Sequence, residues 1–176
     1  EKRAEFFSLQ YVNSENEIEK LYREFGRQIS NYQDLTVCSG LSLGSYEFLN
    51  KGLGEHFHYL TWQASPKLRK LFKEPDRKKI SFVPLRLSQL TRVLGKDCII
   101  SPDVAVIQTS PPLTDGSISL GLSVGANPHI LNSAKLVIAE LNSNMPVTKG
   151  DAIIAQEDID IAFYSDESTF YTFHHL

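Results

Sequence analysis

The chain has 176 residues, of which 41% are hydrophobic and 22% charged, and its formal net charge is −3. This length and composition fit one soluble globular domain with a substantial core. The charge excludes a global basic surface, so nucleic acid is not an expected partner. No apolar run approaches the roughly 20 residues of a membrane span, and the N-terminal EKRAEFFSLQ lacks a signal-peptide core. We therefore expect a cytoplasmic protein without membrane contact.

The first half of the chain predicts alternating helices and strands. Ser14 and Glu17 form a capping box at the start of an amphipathic helix that runs to residue 29. Ser65 caps a second helix, in which Pro66 takes the first position, where proline is tolerated. The other predicted elements are a strand at 34–39, a Gly/Ser turn at 40–44, a helix at 45–51, a strand at 56–62, a strand at 80–85 and a short helix at 88–93.

The second half contains two buried-strand patterns that each run into a loop rich in Pro, Gly, Ser and Asn. The strands are predicted at 103–108 and 136–141, with a crossover helix at 126–133 between them and one or two short strands within 152–163. Strands alternating with helices predict βαβ units and a largely parallel sheet with right-handed crossovers. Ligands of open α/β sheets bind where parallel strands end, so the two loops are the expected functional region.

Both loops carry dense motifs. The first, S-P-P-x-x-x-G-x-x-S-L-G-x-S, comprises Ser110, Pro111, Pro112, Gly116, Ser119, Leu120, Gly121 and Ser123. The second, N-x-N-M-P-x-T-x-G-D, comprises Asn142, Asn144, Met145, Pro146, Thr148, Gly150 and Asp151. At this spacing the segment resembles the N-terminal domain of the acetyl-CoA hydrolase/transferase family, which includes the 4-hydroxybutyrate and butyryl CoA-transferases.

The resemblance extends upstream through HFHYLTWQASPKLRKLF and SFVPLRLSQL, so it covers roughly residues 35–163. It implies a three-layer, open α/β fold of the CoA-transferase type, with a largely parallel sheet and helices on both faces. Residues 1–176 would then form a single domain equivalent to the N-terminal half of such an enzyme. The catalytic C-terminal domain would lie outside this chain.

The chemistry that the resemblance implies is a ping-pong transfer. A glutamate of the C-terminal domain attacks the acyl-CoA thioester, giving an acyl-glutamyl anhydride and then a glutamyl-CoA thioester. The implied partners are acyl-CoA, a small carboxylate and the C-terminal domain, and a homodimer is compatible with them. Coenzyme A enters as part of the substrate, and no metal is expected. We therefore assign no catalytic residue within this chain.

Candidate substrate-binding residues come from the two motifs and from the Gly/Ser turn after the first predicted strand. They are Gly40, Ser42, Gly44, Ser110, Pro111, Pro112, Gly116, Asn142, Asn144, Met145, Pro146 and Gly150. Consecutive prolines fix φ and remove N–H donors, which suits a rigid channel wall but equally an ordinary strand-to-hairpin connection. The two asparagines offer amides either to the substrate or partner domain, or to the loop backbone.

Other polar residues are interpreted as structural. Glu140 is expected at the surface or paired with a lysine, and Glu47 on a solvated helix face. Cys38 and Cys98 have neither CxxC spacing nor nearby histidines, which indicates reduced structural thiols. His56 and His58 would share one strand face without further metal ligands at suitable spacing. The basic run at 67–79 is interpreted as a solvated helix face that could also attract the phosphates of CoA.

Two other functions remain open. A non-catalytic acyl-CoA-binding or regulatory module is suggested by the bulky Leu41 and Leu43 in the Gly/Ser turn, and by the short connection before His56. A sugar-phosphate isomerase of related architecture would need a neighbouring acid/base pair, and the sequence offers no convincing one.

Overall fold

The computed structural model describes residues 6–9, 27, 34–40, 57–75, 80–122 and 124–165. Of the predicted helix at 14–29, Arg27 is described and is helical, and the rest lies outside the described residues. The predicted helix at 45–51 also lies outside them. In the described parts, no helix has the length and apolar character needed to cross a membrane.

Within the described residues, the main sheet consists of seven strands: β1 Phe6–Leu9, β2 Leu35–Ser39, β3 Phe57–Thr61, β4 Ile80–Phe82, β5 Val104–Thr109, β7 Leu136–Asn142 and β9 Ile161–Ser165. Their order across the sheet is β4-β3-β2-β1-β5-β7-β9, and every neighbouring pair is parallel. A second sheet pairs β6 Ser117–Ser119 with β8 Ile153–Ala155 in the antiparallel sense. The prediction of a largely parallel α/β sheet is confirmed.

Strand β1 was missing from the sequence prediction, although it lies in the middle of the sheet. Its four residues, FFSL, are too few to give a period that distinguishes a strand from a loop. The strand forms because it pairs with distant segments: Phe7 is opposite Val37 of β2 on one side and Val104 of β5 on the other. β1 therefore joins the two halves of the sheet.

The described helices are short, and the first of them begins at a clear local signal in the sequence. Ser65 caps the Pro66–Leu71 helix, and its Oγ accepts a hydrogen bond of 3.3 Å from the Leu68 N–H. A 3₁₀ turn at Leu87–Gln89 leads into the helix Leu90–Val93, and the crossover helix is Asn127–Leu131. The predicted placement of helices on both faces, in three layers, stays a prediction.

Strands β5 and β7 form the centre of the core, because their apolar runs are suited to burial on both faces of a parallel sheet. All six residues of β5 are buried. One face of the two strands packs against the helices and the loop residue Leu120. The buried cluster there consists of Cys38, Leu90, Leu94, Ile100, Ala105, Ile107, Leu120, Ala126, Ile130, Val137, Ala139, Leu141 and Ala152.

The two cysteines should react very differently with thiol reagents. Neither is in a disulfide; burial raises the pKa of the Cys38 thiol to about 12, while Cys98 is half-buried. Because the thiolate is the nucleophile, native protein at pH 8 should release one equivalent from Ellman's reagent, and two only after unfolding. Raising the pH to 10 should leave Cys38 protonated and slow. Cys98→Ala should abolish the native reaction, and two rapid native equivalents would contradict the prediction.

Candidate functional site

All seven parallel strands end at the same edge of the sheet, and its topology reverses between β1 and β5. Strands β2 to β4 lie on one side of β1, whereas β5, β7 and β9 lie on the other. Connections at such a switch point leave in opposite directions and open a crevice at the carboxyl ends of the strands. Gly40 directly follows β2, and Ser110 directly follows β5, so both stand at this edge.

The loop after β5 folds back on itself through Ser110. The Ser110 N–H donates to the Ser119 carbonyl at 2.9 Å, while its Oγ accepts from the Ser119 N–H at 3.0 Å and donates to the Pro111 carbonyl at 2.9 Å. Leu113 N–H closes the turn on the Ser117 carbonyl at 2.7 Å. The result is a hairpin-like connection into β6, with Pro111 half-buried and Pro112 exposed.

The tip of this first loop is held by Asp115. Its carboxylate accepts from the Ser117 Oγ at 2.6 Å and the Ser117 N–H at 3.0 Å. These hydrogen bonds hold the pKa of Asp115 below its ordinary value, with the Ser117 side chain as the main cause. Gly116, between the two residues, is exposed and has a φ of +79°, a conformation that favours glycine.

The loop after β7 is organised by Asn142, whose side chain is 0% exposed. Its Oδ1 accepts from the Asn144 N–H at 2.8 Å, and its carbonyl accepts from the Met145 N–H at 3.0 Å. The structure therefore gives Asn142 a loop-ordering contact. Met145 is buried, whereas Asn144, Pro146 and Gly150 are exposed.

The two motif loops form one hydrogen-bonded unit through Ser119 and Thr148. The buried Ser119 Oγ accepts from the Gly121 N–H at 3.1 Å and from the Thr148 N–H at 3.0 Å. Thr148 Oγ1 donates to the Gly121 carbonyl at 2.8 Å. The pairing of β6 with β8 continues the connection. Both residues were recognised as motif positions, but their cross-loop contact could not be read from either motif alone.

A buried polar cluster lies near the carboxyl ends of β5 and β7, on the opposite sheet face from the apolar cluster. Gln108 Nε2 donates to Glu140 Oε1 at 2.9 Å, and Asn142 Nδ2 donates to Gln108 Oε1 at 3.1 Å. Gln108 and Glu140 are directly opposed in the β5–β7 register, and all three side chains are 0% exposed. The prediction that Glu140 lies at the surface is therefore wrong, because its side chain is 0% exposed and accepts from Gln108. The alternative that it pairs with a lysine stays a prediction.

Of the predicted Gly/Ser turn, the structure describes Gly40. Thr61 Oγ1 donates to the Gly40 carbonyl at 3.0 Å, which ties the end of β2 to the end of β3. Ser42 and Gly44 lie outside the described residues. The predicted residues after β5 and β7 thus come together as one unit, while Gly40 stands at the same edge beyond β1.

Other candidate sites receive less support. His58 shares a hydrogen bond of 2.8 Å with the Ser81 Oγ, and burial lowers its pKa. Among the described residues, no group of three or more His, Cys, Asp or Glu is placed to hold a metal ion. A cleft of about 390 Å³ lies between the 127–131 helix, β8 and the start of β7, and its described lining includes none of the predicted substrate-binding residues.

Comparisons with known proteins support the family resemblance seen in the two motif loops. Residues 19–170 match the acetyl-CoA hydrolase/transferase N-terminal domain, a wider range than the motifs alone suggested. The chain is 32% identical over 130 residues to 4-hydroxybutyrate coenzyme A transferase of Clostridium kluyveri, covering 74% of this chain and 29% of that protein. It is 29% identical over 124 residues to a succinyl-CoA:acetate/propanoyl-CoA:succinate CoA transferase of Fasciola hepatica, covering 70% and 25% respectively.

Solved structures show the same fold. RipA from Yersinia pestis superposes with a TM-score of 0.81 at 19% identity, covering 100% of this chain and 42% of that chain. A 4-hydroxybutyrate CoA-transferase from Porphyromonas gingivalis gives a TM-score of 0.59 at 19% identity, covering 95% and 36%. The chain therefore spans well under half the length of these relatives. The domain match and the two motif loops together show that this protein belongs to the acetyl-CoA hydrolase/transferase family, of which the chain carries the N-terminal domain.

Proposed function

We propose that this chain forms one wall of the active-site cleft of an acyl-CoA:carboxylate CoA-transferase or acetyl-CoA hydrolase. A glutamate-bearing second domain would form the opposite wall and supply the nucleophile. The substrates would be an acyl-CoA and a small carboxylate, the enzyme would act in the cytoplasm, and a homodimer is compatible with the arrangement. The observation that carries the proposal is the joining of the two family motifs, at the carboxyl edge of the sheet, by Ser119 and Thr148.

The role of this half of the cleft would be to bind and orient. Three prolines and one asparagine of the two loops reach the surface and offer a rigid, largely apolar wall with one amide side chain: Pro111, Pro112, Pro146 and Asn144. Such a surface suits the acyl and pantetheine parts of the substrate, because prolines add contact area with little loss of conformational entropy. Gly40, Ser42, Gly44, Gly116 and Gly150 would complete the wall. Holding the thioester in place lets the glutamate react without a search for orientation.

The covalent chemistry would fall to the second domain. Attack of its carboxylate on the thioester carbonyl forms the acyl–oxygen bond of an anhydride and releases CoA as a thiolate. The thiolate then attacks the glutamyl carbonyl of the anhydride, which releases the acyl group as a carboxylate and leaves a glutamyl-CoA thioester. Dividing one hard transfer into such steps lowers each barrier. If a new carboxylate takes over CoA from this thioester, the enzyme is a transferase; if water attacks the glutamyl carbonyl instead, free CoA is released, the glutamate is regenerated and the enzyme is a hydrolase.

Binding of acetyl-CoA and free CoA to this chain, measured by calorimetry, tests the proposal. We expect a dissociation constant of about micromolar order and no turnover in the absence of a glutamate-bearing domain. Asn144→Ala should weaken acetyl-CoA binding about tenfold, equivalent to about 1.4 kcal/mol. The neighbouring exposed Ser143 provides the matched control, since Ser143→Ala should leave the affinity unchanged.

Two results would count against this assignment. Turnover by the isolated chain would overturn the division of roles between the domains. Equal affinities for the Asn144→Ala and Ser143→Ala variants would remove the second motif loop from the binding surface. Acyl-CoA binding by a full-length protein that never turns over would instead favour the non-catalytic acyl-CoA-binding or regulatory module.

A further inference from the structure

The buried side chains of Gln108, Glu140 and Asn142 form a linear hydrogen-bond chain that ends on the backbone of the second motif loop. Glu140 Oε1 accepts from Gln108 Nε2, and Gln108 Oε1 accepts from Asn142 Nδ2. Asn142 Oδ1 then accepts from the N–H of Asn144. None of the three side chains has any exposed area. In a site without exposure, a broken link leaves a polar group without water, which costs roughly 1–3 kcal/mol.

The donor-to-acceptor direction of these hydrogen bonds is set by Glu140 and by the Asn144 N–H. At one end Glu140 offers an acceptor to Gln108, so the Gln108 amide must turn its NH₂ group toward β7. Its oxygen then faces Asn142, which must donate in turn and so presents its own oxygen to the loop. At the other end the Asn144 N–H can only donate. Both ends therefore select the same orientation of the two amides.

The strand register explains why this series of hydrogen bonds reaches the loop. Gln108 and Glu140 are cross-strand partners, while Asn142 is two residues beyond Glu140 and so lies on the same face of the sheet. Asn142 is also the last residue of β7, where the backbone leaves the sheet. Its side chain thus connects a rigid strand pair to the first turn of the 142–148 segment.

We infer that Gln108, Glu140 and Asn142 are positioning residues that hold the 144–146 segment in the conformation that binds acyl-CoA, an inference that rests on the function proposed above. Glu140 acts on the Asn144 N–H through three successive hydrogen bonds, by way of the orientation of the Gln108 amide. The Glu140 carboxylate therefore sets which way the Gln108 and Asn142 amides face, and it touches neither substrate nor reacting atoms.

Substitutions that reverse the donor-to-acceptor direction of these side-chain hydrogen bonds provide a specific test in the full-length protein. Asn142→Asp keeps the acceptor for the Asn144 N–H but places an acceptor against Gln108 Oε1, and Glu140 prevents Gln108 from turning round. We expect KM for acyl-CoA to rise about tenfold, about 1.4 kcal/mol. Glu140→Gln alone keeps an acceptor for Gln108 and should change KM less than Asn142→Asp does.

The double variant E140Q/N142D should recover most of the lost affinity. The amide introduced at position 140 can donate to Gln108, whose own amide then turns and donates to the carboxylate introduced at position 142. That carboxylate still accepts from the Asn144 N–H. All three links are kept, and only the two between side chains are reversed, so we expect KM within about threefold of wild type. A structural role alone would instead give additive losses of melting temperature with KM unmoved, since independent substitutions add.

Amide hydrogen exchange at Asn144 gives a readout that does not depend on the proposed function. In Asn142→Asp, repulsion between the introduced carboxylate and Gln108 Oε1 should displace the acceptor from the Asn144 N–H, so exchange should be faster. It should return toward the wild-type rate in the double variant, in which that repulsion is relieved. If Asn142→Asp does not fold, a second pair of variants makes the same comparison. Q108E places two carboxylates against each other, whereas Q108E/E140Q exchanges the two residue types, so that the amide at position 140 donates to the carboxylate at position 108.

The outcomes separate the two claims. A wild-type protein that neither binds nor turns over acyl-CoA would overturn the proposed function, and Asn144 exchange would still decide the positioning role. Unchanged Asn144 exchange in Asn142→Asp would overturn the positioning role. The positioning role would also be overturned if E140Q/N142D showed the same KM and the same Asn144 exchange rate as Asn142→Asp. The losses would then not arise from the direction of the hydrogen bonds.

Discussion

Gly121→Ala should lower the free energy of unfolding by about 3 kcal/mol, because it combines backbone strain with a steric clash. Gly121 has a φ of +62°, a conformation that costs a residue with a Cβ about 1–2 kcal/mol. A Cβ at this position would lie 2.0 Å from Met145 Sδ and 2.4 Å from Met145 Cγ. Forcing extra volume into a packed site typically costs a further 1–3 kcal/mol, roughly. Chemical denaturation with linear extrapolation measures the change.

Gly116→Ala is the matched control for this substitution. Gly116 lies in the same motif with a φ of +79°, but a Cβ there would meet nothing within 4 Å. It should therefore show the backbone cost alone, about 1 kcal/mol. Equal losses for the two variants would contradict the clash.

Combining Gly121→Ala with Met145→Ala isolates the contact between the two loops. Removal of the methionine side chain makes room for the new Cβ, so the double variant should lose less than the sum of the single losses. Such coupling is expected for residues in direct contact. Strict additivity would show that Met145 moves aside at no cost, and the strain would then be confined to the backbone of Gly121.

The sequence predicted much of the sheet because its long strands have strong local signals. The apolar runs of β5 and β7 and the cap formed by Ser65 appear in the structure within about one residue of the predicted positions. The short strands β8 and β9 also fall inside the predicted segment 152–163 or within two residues of its end. Local pattern suffices where an element is long, buried and bounded by turn residues.

The features that the sequence did not predict depend on contacts between distant segments. β1 is recognisable as a strand through pairing with β2 and β5, which lie far along the chain. Glu140 was misplaced because a carboxylate is rarely fully buried, and its partner Gln108 stands 32 residues earlier. Register brings the two together, and register cannot be read from either strand alone.

The motif residues divide into two groups once the contacts are known. Ser110, Ser119, Asn142 and Met145 are buried and connect the loops to each other or to the sheet. Pro112, Asn144 and Pro146 are exposed on the resulting surface. The buried group builds a rigid platform, and the exposed group belongs to the surface proposed above to bind substrate. We therefore expect substitutions in the first group to lower stability and those in the second to weaken binding.

Ser119→Ala should test the platform directly, with a loss of about 2–3 kcal/mol in unfolding free energy. The Ser119 Oγ accepts from two backbone N–H groups, those of Gly121 and Thr148, and the side chain is 0% exposed. Removal of the oxygen leaves both donors without this acceptor in a buried site, at roughly 1–3 kcal/mol for each group that finds no other partner.

Ser117→Ala on the same strand is the control, because its hydroxyl donates to the exposed Asp115 and should contribute at most about 1 kcal/mol. Hydrogen exchange should locate the Ser119 effect at the Gly121 and Thr148 amides rather than in the central strands. If Ser119→Ala and Ser117→Ala were equally stable, the Ser119 hydroxyl would not be needed to hold the two loops together, and the β6–β8 pairing and the Thr148–Gly121 hydrogen bond would suffice. A large loss confined to Ser119→Ala would instead show that one buried hydroxyl couples both family motifs, so that a change in either loop alters the surface formed by the other.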